Sequence, residues 1–202
     1  MYLGLTNHYR NDMQLTRTLI CFLCVLTFGA VHAQNGQIRA SPMASTSQTL
    51  GLDTEITIKY SRPAVKGRKV WGGIVPWGMA DGNQYSDNKP YPWRAGANEN
   101  TTVTFSKDVM VEGEMLPAGT YGLHMIPAED GEWTVIFNKV NNIWGSYQYN
   151  QDEDALRVSV TPEEAPMQEW LTFGFDDNTP ESTEVYLHWE ELKVPIAIAV
   201  AQ

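Results

Sequence analysis

Apolar and polar residues alternate with a period of two along most of the chain. In Thr54–Tyr60 (TEITIKY), Ile56 and Ile58 fall on one face and Thr57 and Lys59 on the other, the pattern of a half-buried strand. Thr101–Ser106 repeats it with Val103 and Phe105 inward. Val109–Val111, Thr120–Ile126, Glu132–Asn138, Ala155–Thr161, Glu169–Phe175, Glu184–Glu190 and Lys193–Val200 read the same way, and Lys69–Val75 is a further candidate. GEMLPAGTY (113–121) reads as a tight reversal, because its Pro and Gly interrupt the alternation. Helical patterning is confined to single turns at Asn150–Ala155 and Pro162–Gln168. About ten short strands at this spacing predict an all-β, antiparallel sandwich or jelly-roll-like domain. Residues 34–53 read as a leader and first strand, and 54–202 as the sandwich.

The long interruption is Trp77–Asn100. A segment of that length without periodicity is uncommon inside a compact domain unless it is functional or disordered. Its aromatics, Trp77, Tyr85, Tyr91 and Trp93, argue that it packs across a sheet.

The N-terminus has a different pattern. Residues 17–33, RTLICFLCVLTFGAVHA, combine a basic start, an apolar run and small residues at Val31 and Ala33. They predict a secretory signal peptide cleaved before Gln34, with Met13 as an alternative start. The apolar run is shorter than the roughly 20 residues of a membrane-spanning helix. The expected location is therefore periplasmic or extracellular, with no integral membrane span after cleavage. Cleavage would remove Cys21 and Cys24, so the exported domain would be held by its core without disulfides. It would also remove Arg10, Arg17 and Asp12, leaving 12 basic against 23 acidic groups from 14 and 24 in the whole chain. An acidic balance argues against a nucleic-acid partner, since phosphate binding needs a net basic face.

Six stretches carry a family resemblance: YSRPAVKGRKVWGGIVPWG (60–78), WRAGANENTTVTFS (93–106), LPAGTYGLHMIP (116–127), WTVIFNK (133–139), WGSYQYN (144–150) and DALRVSV (154–160). In this order they resemble an uncharacterised family of exported bacterial proteins, domain of unknown function 2911. The resemblance spans roughly residues 40–195. It implies secretion and a β-rich fold, and no established activity. The family pattern runs from a VPYG-like motif almost directly into WR-x-GANE, whereas here Met79–Pro92 intervene as an elaborated loop.

Chemistry-bearing residues are sparse. After cleavage only His124 and His188 remain. His124, in TYGLHMI, shares a face with Gly122 and Ile126, opposite Tyr121, Leu123 and Met125; His188 faces solvent. No HxH, HExxH or CxxC spacing supports a metal site, and no cofactor is implied. No GxSxG is present, and Ser61 and Ser146 lack a neighbouring base in sequence, which leaves only a long-range pairing with His124 open to them.

The more distinctive set is aromatic and basic. Tyr60, Arg62, Arg68, Trp93, Arg94, Glu99, His124, Trp144 and Tyr147 form the candidate ligand-binding group, and Lys66, Tyr149 and Arg157 belong to the same aromatic and basic set. Rings that stack on a sugar and guanidinium forks that grip its oxygens would form a cleft. The competing reading pairs each arginine with Glu99, Asp154 or a covering ring inside the fold. Three functions follow: a non-catalytic exported domain that binds a small ligand or glycan; a structural or accessory envelope protein; and a hydrolase using Glu99 or His124. One pocket holding Trp93, Arg94, Glu99 and His124 would favour the first or third. Dispersal or mutual satisfaction of these groups would favour the second.

Overall fold

The computed structural model describes residues 38–201. The expected signal segment lies outside them. Ten strands form two antiparallel sheets: β1 (Met43–Leu50), β2 (Thr54–Ser61), β3 (Thr101–Phe105), β4 (Val109–Val111), β5 (Glu114–Leu116), β6 (Gly119–Ile126), β7 (Trp133–Asn138), β8 (Asp154–Val160), β9 (Glu163–Asp176) and β10 (Ser182–Val200). The larger sheet has the order β1-β2-β3-β6-β7-β8 and the smaller β5-β4-β10-β9. The fold is the sandwich-like all-β arrangement that the alternation predicts. Among the described residues the only helical element is a 3-10 turn at Gln151–Glu153, inside the expected turn at Asn150–Ala155. No helix among them is long and apolar enough to cross a membrane.

The alternation sorts side chains as expected. Ile56, Ile58, Val103, Phe105, Leu123, Met125, Val135 and Phe137 meet Leu171, Phe173, Leu187, Val194 and Ile196 in one core. Four indoles gather within it. Trp71 lies edge-on to Trp93, Trp133 and Trp189, with centroids 5.6, 5.0 and 5.8 Å away, and Trp93 stacks on Trp189. Aromatic pairs at these separations add directional attraction to their burial.

Beyond Ser61 the chain continues along β9. Ala64 bridges Trp170, Val65 N–H donates to Glu169 O, and Leu171 N–H donates to Pro63 O. This seam joins the larger sheet to the smaller at one edge.

Four elements differ from the sequence reading. Lys69–Val75 is a looped turn with a single bridge between Trp71 and Val75. A Cβ on Gly73 would lie 2.3 Å from Lys69 O, so the Gly72-Gly73 pair folds the segment back on itself. The apolar residues around that pair, Val70, Trp71 and Val75, are buried as a plug between the sheets. Pro162–Gln168 is extended, because Glu163 and Glu164 pair with Lys193 and Leu192 of β10. Pro166 fits there because β9 is an edge strand and needs no second ladder. Glu184–Glu190 and Lys193–Val200 are one strand. Register shifts on either side of Glu190 move the inward positions from Val185, Leu187 and Trp189 to Val194, Ile196 and Ile198. A bulge does this without ending the strand. Finally, β5 occupies part of the stretch read as a reversal.

Candidate functional site

The predicted site residues fall into separate places. Tyr60 and Arg62 lie at the seam between the sheets. The Tyr60 ring packs edge-on against Phe173, 4.9 Å away, and its hydroxyl oxygen accepts the Phe173 N–H at 3.1 Å. Arg62 donates to Leu171 O at 2.8 Å and to Thr172 Oγ1 at 2.6 Å. Arg68 closes its own turn, donating to Ala64 O and Val65 O. Trp93 is in the indole cluster, where its backbone pairs with Met125 in the place β3 would occupy had it been longer. Glu99 sits at the surface with Arg39 and Ser61. The Arg39 hydrogen bond outweighs the upward push of burial and, with the Arg39 charge and the other bonds, holds its carboxyl below the ordinary glutamate value.

Arg94, His124, Trp144 and Tyr147 are brought together. They meet on the outer face of β6 and β7, where the segment between Val140 and Asn150, which carries Trp144 and Tyr147, covers His124 and lies against Arg94. That segment explains why His124, Ile136 and Asn138 are buried on a face the alternation reads as outward. His124 is 0 % exposed, and its Nδ1 lies 2.7 Å from Oγ of Ser146, itself 1 % exposed. Its ring lies edge-on to Tyr149 at 5.4 Å. Burial first, then the Arg94 charge, lowers the His124 pKa to about 3. His124 is therefore neutral at ordinary pH and weakly basic.

Its Nε2 and Asn100 Oδ1 are both buried without partners among the described residues. A Cβ on Gly122 would lie 3.2 Å from the first and 2.4 Å from the second, so both crowd the same glycine. In the tautomer that carries its proton on Nε2, the Ser146 hydroxyl donates to Nδ1. The serine and histidine thus act as an enclosed clasp that holds the segment to the sheet.

A second clasp lies alongside. Tyr149 donates to Asp154 Oδ2 at 2.7 Å, and Asn138 donates to Asp154 Oδ1 at 2.8 Å. Burial, then the Asp154 bond, pushes the Tyr149 phenol upward.

Over these clasps is an open surface. Arg94 lies 5.5 Å from the Tyr147 ring centre while donating to Asn98 O, and Tyr91 meets Tyr147 edge-on at 5.0 Å. Tyr147 is thereby supported from two sides. With Tyr85, Trp144 and Gln148 it lines a groove of about 520 Å³. Tyr85 is 65 % and Trp144 59 % exposed. A second groove of about 560 Å³ shares Tyr147 and Gln148 and is lined otherwise by Ser86, Asp87, Lys89, Asn150 and Gln151 among others.

The loop carrying Tyr85 is closed by its own polar groups. Tyr85 N–H donates to Asn83 Oδ1, Asn83 N–H to Ser86 Oγ, and Ser86 Oγ–H to Lys89 O. Ala80 and Tyr91 pair at its base. Among the described residues no group of three or more His, Cys, Asp or Glu side chains is placed to hold a metal ion.

The family model for a protein of unknown function, DUF2911, matches residues 41–198. The chain belongs to the DUF2911 family. No curated protein matches the chain, and no solved structure does. The matched span takes in both sheets and both walls of the grooves. Sequence reasoning missed Tyr85, Gln148 and Asn100 as neighbours of the candidate residues, whereas the pairing of Ser146 with His124 was open to it as a long-range contact. The one signal for Tyr85 was its place in the long aromatic-bearing loop.

Proposed function

We propose that this DUF2911 chain is an exported, non-catalytic β-sandwich domain that binds a small ligand or glycan through an aromatic and arginine-supported surface. The observation that carries the reading is the groove between Tyr85 and Trp144, where two large rings stand more than half exposed beside a braced third. Its volume falls in the roughly 300–1,000 Å³ range of small-ligand sites, and aromatic walls with one amide suit a ligand having apolar faces and polar edges. Arg94 serves as support for Tyr147, since its Nη1 is engaged by Asn98 O.

A second reading, a structural or accessory envelope protein, is favoured by the internal bonding of Arg62, Arg68 and Glu99 and by the core position of Trp93. The hydrolytic reading fares worse, because Glu99 is ion-paired and His124 enclosed.

The test is titration with neutral sugars and small organic acids, followed by tryptophan fluorescence and calorimetry. Saturable binding that Trp144→Ala weakens at unchanged melting temperature supports the first reading. A null response across that panel gives way to the second.

A further inference from the structure

The two grooves share a wall, and their chemistry differs along its length. The first offers rings and the Gln148 amide, with no charged side chain lining it. The second offers a hydroxyl, amides and one charge of each sign, Asp87 and Lys89. Both lie between the loop that carries Tyr85 and the segment from Trp144 to Gln151. Tyr147 stands at the junction, held by Tyr91 on one side and Arg94 on another.

We infer that the ligand is a neutral, linear oligosaccharide that lies across both grooves, with one unit stacked at the Tyr85–Trp144–Tyr147 end and further units bonded at the Lys89–Gln151 end. This rests on the reading of the aromatic groove as a ligand site. A pyranose presents a flat C–H face to an aromatic ring and a rim of hydroxyls to amides and charged groups. A chain of such units repeats that presentation, as the two grooves do. Either groove alone is large enough for a small ligand, so two joined at Tyr147 and Gln148 suit a longer occupant. A braced Tyr147 loses little freedom on binding, which favours an extended ligand that must be held at several points. Neutrality follows from charge. The grooves supply one cation against one anion on a chain of net charge −10, which disfavours acidic polysaccharides and nucleic acid.

The experiment titrates the exported domain with α-1,4 glucose, β-1,4 glucose and β-1,4 N-acetylglucosamine series, from monosaccharide to hexasaccharide, by calorimetry. Affinity is expected to rise with chain length and then level off. Trp144→Ala should weaken every length by about tenfold or more, as loss of a central ring does. Lys89→Ala and Gln151→Ala should weaken only the longer members. Equal affinity for monosaccharide and hexasaccharide, with both second-groove variants silent, overturns the extended-chain inference and leaves the aromatic ligand site standing. Tighter binding of uronic-acid oligomers or of an extended peptide, still dependent on Trp144, overturns the neutral-glycan assignment and likewise leaves the site standing. If no saccharide of any length binds, the inference falls. The aromatic site falls with it if organic acids and peptides also give no Trp144-dependent signal.

Discussion

His124 and Ser146, 22 residues apart in sequence, are joined by a hydrogen bond of 2.7 Å inside the protein. The contact resembles a nucleophile and its base in distance alone. Both residues are enclosed, and a histidine protonated only near pH 3 is a poor proton acceptor. We therefore expect Ser146→Ala to act on stability. It leaves Nδ1 buried without a partner, at a cost of about 1–3 kcal/mol in urea unfolding. A serine-directed fluorophosphonate should leave the native protein unlabelled. Stoichiometric labelling at Ser146 would restore the nucleophile reading.

The same burial sets a pH dependence. His124 takes up a proton near its ordinary value of 6.5 when unfolded, and only at about 3 when folded. Between those values the unfolded state binds more protons, so stability falls as pH falls through the window and loses nothing further from this group below it. The full effect is on the order of 5 kcal/mol. Glu99 contributes in the same direction at the lower end, because its lowered carboxyl value gives stability that is lost on acidification. Comparing unfolding free energies of the protein and His124→Gln across this range isolates the histidine. The variant should show a shallower slope, and equal slopes would refute the assignment.

The strands were legible where one face is apolar, as at Ile56 and Ile58 or Val103 and Phe105, because a half-buried sheet imposes a period of two. Lys69–Val75 misled because buried apolar residues flank a Gly-Gly turn, and periodicity cannot tell a plug from a strand. Pro162–Gln168 read as a single helical turn, whereas its pairing with β10 is a tertiary effect that local composition does not report. The site was less legible still. Arg94, His124, Trp144 and Tyr147 were singled out by type, but their convergence depends on which segment covers the outer face of β6 and β7. Tyr60, Arg62, Arg68, Trp93 and Glu99 have similar chemistry in sequence and lie elsewhere.

The seam between the sheets makes Arg62 a structural arginine. Its two donors satisfy Leu171 O and Thr172 Oγ1 where β9 meets the continuation of β2. Arg62→Met keeps the aliphatic stem and removes both bonds. The expected loss is about 1–3 kcal/mol in denaturant unfolding, with ligand binding at Trp144 unchanged. Arg62→Lys should recover only part of it, because one ammonium cannot reproduce the planar fork. Full stability in Arg62→Met would mean that water replaces both bonds at no cost.

Gly122 tests how tightly the covered face is closed. Its position in β6 is opposite Thr102 and Asn138, and nothing unusual in its backbone demands glycine. What demands it is space. A methyl group would lie 2.4 Å from Asn100 Oδ1, 2.7 Å from Val140 O and 3.2 Å from His124 Nε2. The first atom is on the residue that precedes β3 and the second is in the segment that covers the sheet, so Gly122→Ala must displace Asn100 or push that segment outward. Overpacking of this kind costs typically 1–3 kcal/mol. The displacement should also disturb the Asn100–Gly145 bond and, through it, the segment that carries Trp144 and Tyr147. Gly122→Ala should therefore lower both melting temperature and ligand affinity, whereas Trp144→Ala lowers affinity alone. Equal stability of Gly122→Ala and the parent protein would show that the covering segment is loosely seated and that the His124–Ser146 clasp does not hold it.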